Sequence, residues 1–85
     1  MAEDYKVFVH MDVLGILPKS GARRESVLQF LATLGSFAHL GGDYQEKDPE
    51  TGRPVEVSLV AGYALTWWVD APVREVKLVQ IRPAD

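Results

Sequence analysis

Apolar and polar residues alternate in two parts of the chain, and this period of two predicts β-strands. The first predicted strand covers residues 5–11, with Tyr5, Val7, Val9 and Met11 on one side. Phe8 on the other side indicates that this second side is partly covered as well. Between Arg53 and Arg82 the alternation predicts three more strands, at residues 55–59, 63–69 and 73–81.

The three later strands are separated by tight turns. Gly62 follows Ala61 between two of them, and glycine adopts the positive φ that hairpin turns require. Asp70, Ala71 and Pro72 form the second predicted turn. Residues 43–54 are polar and rich in turn formers, which predicts an exposed loop leading into the sheet.

Between the first strand and this loop, apolar residues recur at steps of four, three and four, at Val27, Leu31, Leu34 and Ala38. This spacing predicts an amphipathic helix over residues 22–38, with Phe30 and Phe37 widening its apolar stripe. Ser20 is the expected N-cap of this helix. Upstream, Asp12 is expected to cap a short helical turn that Pro18 ends.

These elements predict one α+β domain over residues 1–85. It contains an N-terminal strand, one short and one longer helix, and a mainly antiparallel sheet whose last three strands form a meander. The 85 residues include no cysteine and no apolar run of the roughly 20 residues that a membrane span needs. We therefore expect a cytoplasmic protein without a membrane partner. The net charge of −3 argues against strong non-specific binding to nucleic acids.

Five polar residues are candidates for one site at an edge of the sheet: Tyr44, Glu46, Lys47, Arg53 and Arg82. In such a site Glu46 would act as a base, and the arginines would clamp a phosphate. The alternative is a charged loop that keeps this end of the sheet hydrated.

A second group, Lys19, Arg23 and Arg24, is the only dense basic cluster. Cations in the first turn of a helix oppose its dipole, so the cluster indicates a docking place for an acidic partner segment or a phosphate. The alternative is a solvated helix start. His10 and His39 lack the spacing of metal ligands, and no cofactor motif is present.

Two adjacent tryptophans must point to opposite faces of their strand. Trp67 shares its face with Tyr63, Leu65 and Val69 and is expected in the core. Trp68 then lies on the other face, either under a loop or available to a partner.

The order of elements and the run from Arg53 to Arg82 resemble the RelE/ParE superfamily, the toxins of type II toxin–antitoxin pairs. The similarity is carried by Gly62-Tyr63 at a hairpin turn, Trp67-Trp68 in the next strand, Asp70 at the following turn, and the basic Arg82 at the end of the last strand. Nucleases of this superfamily carry several cations on the sheet, whereas here the corresponding residues are Val55, Val57 and Ala64.

The resemblance implies a toxin-like protein that a cognate antitoxin binds and neutralises. Its action would be ribosome-dependent cleavage of mRNA or inhibition of DNA gyrase. Candidate catalytic residues are Arg82, Arg53 and Glu46; candidates for binding RNA or another target are Tyr44, Lys47, Arg53 and Arg82; candidates for binding a partner are Arg23, Arg24 and Trp68. The alternative is a catalytically inert α/β interaction module that associates, also with itself, through its sheet face or edge.

Overall fold

The structure, a computed structural model, describes residues 4–84 and contains two α-helices and five β-strands. The helices are α1 (Met11–Leu14) and α2 (Ala22–Phe37), and one turn of 3₁₀ helix, Ala38–Leu40, follows α2. The strands are β1 (Lys6–Val9), β2 (Tyr44–Lys47), β3 (Pro54–Val60), β4 (Tyr63–Asp70) and β5 (Glu75–Pro83).

All five strands belong to one sheet, in the order β1-β5-β4-β3-β2. The strands β2 to β5 form an antiparallel meander, and β1 pairs with β5 in parallel. A parallel pair needs a crossover, which α1 and α2 supply between β1 and the meander. The predicted α+β class is confirmed, and the predicted meander of three strands gains a fourth, β2.

The helices cover one side of the sheet, and the core lies between these two layers. The four residues that define the predicted stripe, Val27, Leu31, Leu34 and Ala38, are buried there with residues of β4 and β5. The buried cluster consists of Leu17, Val27, Leu31, Leu34, Ala38, Tyr63, Leu65, Trp67, Val76, Leu78 and Ile81. The indole N–H of Trp67, which is fully buried, donates to the Ser58 hydroxyl at 3.0 Å. The expected placement of Trp67 in the core is therefore confirmed.

A glycine sets how closely α2 approaches β1. A Cβ atom at Gly35 would lie only 2.1 Å from the carbonyl oxygen of Tyr5, and the Tyr5 N–H donates to the carbonyl oxygen of Gly35 at 3.0 Å. Glycine weakens a helix interior by roughly 1 kcal/mol relative to alanine. Here it permits a backbone contact that no other residue allows.

The predicted turn between β3 and β4 is confirmed. Ala61 and Gly62 are its two central residues, with φ values of 53° and 85°. Two successive positive φ values define the tight hairpin turn whose twist matches that of the flanking strands. This turn fixes the register in which Val60 lies opposite Tyr63.

The prediction of an exposed loop over residues 43–54 is wrong in its first part, because residues 44–47 form the edge strand β2. Two carboxylate contacts hold the segment that leads into this strand. The Asp43 carboxylate accepts from the Leu59 N–H at 2.6 Å, and the Glu56 carboxylate accepts from the Gly42 N–H at 2.8 Å. An edge strand pairs through its backbone and needs no apolar alternation. The polar sequence of β2 therefore gives no sign of a strand.

Both predicted helix caps are wrong. The N-cap of α2 is Gly21, which contributes no side-chain hydrogen bond, rather than Ser20. The N-cap of α1 is His10, whose Nδ1 accepts from the Asp12 N–H at 3.3 Å. Asp12 lies in the first turn of α1, where its negative charge interacts favourably with the helix dipole.

Three apolar residues are more exposed than predicted. Met11 belongs to α1 rather than to the first strand and is 83 % exposed. Phe8 is 48 % exposed, so the second side of β1 is largely uncovered. Phe37, at the end of α2, is 53 % exposed and does not widen the buried stripe. The last strand also begins two residues later than predicted, because Val73 belongs to a 3₁₀ turn.

Candidate functional site

The side of the sheet opposite α2, which we call the open face, carries most of the predicted site residues. Among residues 4–84, no helix packs on this side. Strand alternation and the pairing register place on it the side chains of Tyr44, Glu46, Val55, Val57, Ala64, Thr66, Trp68, Lys77, Gln80 and Arg82.

An ion pair bridges the open face from β5 to β2. The Arg82 guanidinium donates to the Glu46 carboxylate at 2.8 Å. The pKa of Arg82 is raised above its ordinary value, chiefly by the hydrogen bond to Glu46 and next by one to Tyr44. Both side chains of the pair are 40 % exposed, and pairs of this kind contribute about 0.2–1 kcal/mol. We call this contact the Arg82 bridge.

The Arg82 bridge lies over β4 and β3, because these strands separate β5 from β2. Across the strands it covers three spacings, roughly 14 Å. It also runs diagonally, because Glu46 lies opposite Val55 whereas Arg82 lies in the row of Ala64. Ala64 lies directly opposite Arg82, and Val57 directly opposite Tyr44. These two residues are only 2 % and 0 % exposed although no helix covers them. The aliphatic stem of Arg82 and the ring of Tyr44 are the side chains placed to cover them.

At the other end of the open face, cations flank Trp68. The Arg53 guanidinium lies 3.9 Å from the centre of the Trp68 ring, and the Lys77 ammonium lies 5.1 Å from it. Lys77 also pairs with Asp70 at 3.2 Å. Trp68 is on the face opposite Trp67, as predicted, and it is half-buried with a cation against its ring.

Beside the Arg82 bridge the open face contains a pocket of about 520 Å³. Its lining includes Thr66 and Val55 on the sheet, Gln80 and Arg82 on β5, and residues 46–50 of β2 and the following loop. A wider cleft of about 840 Å³ lies at the end of the sheet, where Arg53 and Trp68 meet the segment 38–45 and the turn 70–72.

The predicted convergence of five polar residues is found for three of them. Tyr44, Glu46 and Arg82 meet in the Arg82 bridge. Arg53 instead stacks on Trp68. Lys47 alternates with Glu46 along β2, so its side chain belongs to the other face of that strand, although Lys47 contributes to the lining of the 520 Å³ pocket.

The predicted basic cluster does not act as one surface. Arg24 donates to the Pro18 carbonyl oxygen at 3.3 Å, which ties it to the segment before α2. The Arg23 guanidinium lies beside the β3–β4 turn, 3.9 Å from the position of a Cβ atom at Gly62. Both residues belong to the helix layer and not to the open face.

Sequence reasoning missed three residues of the open face: Thr66, Lys77 and Gln80. The alternation of β4 and β5 is the signal that places them beside Trp68 and Arg82. The hydroxyl of Thr66 is the only buried side-chain polar atom of residues 4–84 that lacks a hydrogen-bond partner. No sequence pattern reveals such a property, because it depends on the packed neighbours.

The chemistry available on the open face is binding through paired charges, an aromatic ring and a pocket lined by both polar and apolar residues. Acid–base cleavage of RNA requires a base, an acid and free cationic support for the phosphate. On the open face, Glu46 is paired with Arg82, and Arg53 and Lys77 are held against Trp68. In the part of the chain that the structure describes, no three potential metal ligands come together.

Comparison of the sequence with protein-family models and with curated proteins gives no match. Neither of the helices described for residues 4–84 has the length and apolar composition needed to cross a membrane.

Proposed function

We propose that the chain is the toxin-like component of a toxin–antitoxin pair of the RelE/ParE type, and that the open face is the surface that engages its target. The observation that carries this proposal is the open face itself. One side of the sheet is covered by α2, while the other presents Trp68 between two cations and the Arg82 bridge. The order of a strand, helices and a β-meander ending in Arg82 supports the same assignment.

The pairing of the charges favours action by binding over cleavage. A cleaving site would need Glu46 or another side chain free to take a proton from the ribose hydroxyl. Glu46 accepts from Arg82 instead, and the central positions Val55, Val57 and Ala64 carry no cation. An inhibitor that binds DNA gyrase, or a weakened nuclease, fits these residues better than an efficient ribosome-dependent endonuclease.

Induction of the chain alone in a bacterial host tests the proposal. We expect growth arrest with wild-type protein, and relief of the arrest with the pair of changes Arg82→Ala and Trp68→Ala. Lys19→Ala, away from the open face, is the matched control and should arrest growth like the wild type. Normal growth with folded wild-type protein present would contradict toxin activity.

Two measurements separate the mechanisms, the first in arrested cells and the second with purified proteins. Mapping of mRNA 5′ ends detects cleavage of transcripts, and a supercoiling assay with purified gyrase detects inhibition of that enzyme. We expect intact transcripts and reduced supercoiling. New transcript ends that depend on Glu46 would assign the cleavage mechanism instead.

An inert interaction module is the second candidate, because apolar side chains are exposed at the end of α2 and just after it. Phe37 is 53 % exposed and Leu40 is 70 % exposed. Solution mass of the wild type, of Trp68→Ala and of Leu40→Ser tests self-association. A strict monomer in all three, with no growth effect of the wild type, would reject both self-association and toxicity.

A further inference from the structure

The 520 Å³ pocket of the open face has an unpaired polar group in its floor. Thr66, on the central strand β4, is 7 % exposed, and its Oγ1 has no hydrogen-bond partner. Folded proteins rarely keep a buried hydroxyl unpaired, because such a group has lost its hydrogen bonds to water and gained none in return. The group points to a ligand that supplies the missing hydrogen bond.

The rim of the pocket is acidic. Glu46, Asp48 and Glu50 line it, and the Arg82 guanidinium is already paired with Glu46. Lys47 and Arg82 also line the pocket, so its three carboxylates exceed its cations by one charge. This excess of negative charge repels an anionic ligand such as phosphate and attracts a cation.

The walls of the pocket are apolar. Val55 lies on the floor side and Pro49 on the loop side. Val79 belongs to an irregularity in the β4–β5 pairing, which separates Gln80 from Leu78, and it is 46 % exposed. Apolar walls below an acidic rim accommodate the methylene stem of a long basic side chain, whose charged end stays near the carboxylates.

We propose that this pocket binds an arginine or lysine side chain from an extended segment of a partner protein, with the Thr66 hydroxyl accepting one of its N–H groups. The volume of about 520 Å³ lies in the range of sites that bury a ligand and exceeds the needs of one side chain, so backbone of the partner enters as well. A buried basic anchor of this kind is a common centre of binding energy in protein interfaces. The inference does not rest on toxin activity.

Titration of the isotopically labelled full chain with short peptides, followed by NMR, tests the proposal. The probes are acetyl-Ala-Arg-Ala-amide, the same peptide with neutral citrulline in place of arginine, and adenosine monophosphate. We expect the arginine peptide to shift the signals of Thr66 and Gln80, with a dissociation constant on the order of 1 mM. The citrulline peptide should bind at least about tenfold more weakly, because citrulline has the shape of arginine but carries no charge.

Variants connect this binding to the pocket. Thr66→Val replaces the unpaired hydroxyl by a methyl group and should weaken binding of the arginine peptide about threefold or more. Glu50→Gln removes one negative charge from the rim and should weaken this binding by a similar factor. Thr33→Val, on α2, is the matched control and should bind like the wild type. Equal affinity of Thr66→Val and the wild type, equal affinity of the arginine and citrulline peptides, or tighter binding of adenosine monophosphate would each overturn the proposal.

Discussion

Replacement of Thr66 by valine should stabilise the protein. The two side chains have nearly the same shape, and the change substitutes a methyl group for the hydroxyl that has no partner. Thr66 is 7 % exposed, so its hydroxyl has been removed from water almost completely. The desolvation cost of such a group is about 1–3 kcal/mol, and removing it should raise the free energy of unfolding by about 1–2 kcal/mol.

The assay is thermal and urea unfolding of the wild type and the variant, followed by circular dichroism. For a domain of this size, a gain of 1 kcal/mol corresponds to a rise in Tm of roughly 4–8 °C. Thr33→Val makes the same chemical change where the hydroxyl is exposed and donates to the Phe30 carbonyl oxygen at 3.0 Å. This control should change the unfolding free energy by less than about 0.5 kcal/mol. Destabilisation by Thr66→Val would refute the reasoning, because it would mean that the hydroxyl is hydrogen-bonded in solution.

Three further changes test the packing and the open face. Gly35→Ala should lower the free energy of unfolding by about 1–3 kcal/mol in urea denaturation, since the new Cβ atom meets the β1 backbone. Ser58→Ala should cost about 1–3 kcal/mol by the same measurement, because the buried Trp67 N–H loses its acceptor. A double-mutant cycle of Glu46→Gln and Arg82→Met should give a coupling of about 0.2–1 kcal/mol that falls with added salt.

Controls for these changes exist within the chain. Gly15→Ala places its Cβ atom 3.3 Å from the nearest atom, so it should cost much less than Gly35→Ala. Arg82→Ala should cost more stability than Arg82→Met, because methionine keeps an apolar stem over Ala64. Equal unfolding free energies for the members of either pair would contradict the packing described for Gly35 or for Arg82.

The sequence predicts the parts of this fold in which side chains pack. The α2 stripe, the alternation of β3 and β4 and the Ala61-Gly62 turn each follow from a period or from a conformational requirement. The edge strand β2 does not, because Tyr44–Lys47 pairs through backbone groups and through the carboxylates of Asp43 and Glu56. The two carboxylate contacts join residues 14 and 16 positions apart, and no local pattern records them.

The candidate site shows the same division. The sequence places Glu46 and Arg82 in one candidate site, as a base and a phosphate clamp, whereas in the structure they pair with each other. The position of Arg53 over Trp68 was not predicted, since it depends on how the turn before β3 places one side chain against another. The unpaired hydroxyl of Thr66 was not predictable either, because threonine is an ordinary strand residue and only its neighbours leave it without a partner.

The apolar centre of the open face and the Arg82 bridge are one arrangement. A cation at Val57 or Ala64 would lie beneath the Arg82 guanidinium and repel it, and a longer side chain at Ala64 would lift the arginine stem from the sheet. One arginine from β5 therefore brings a positive charge over strands whose own residues are small and apolar. Ala64→Lys should break the contact between Arg82 and Glu46 while leaving the helix side of the sheet intact. If the Arg82 guanidinium signals in NMR stayed unchanged in that variant, the bridge would not depend on its apolar floor.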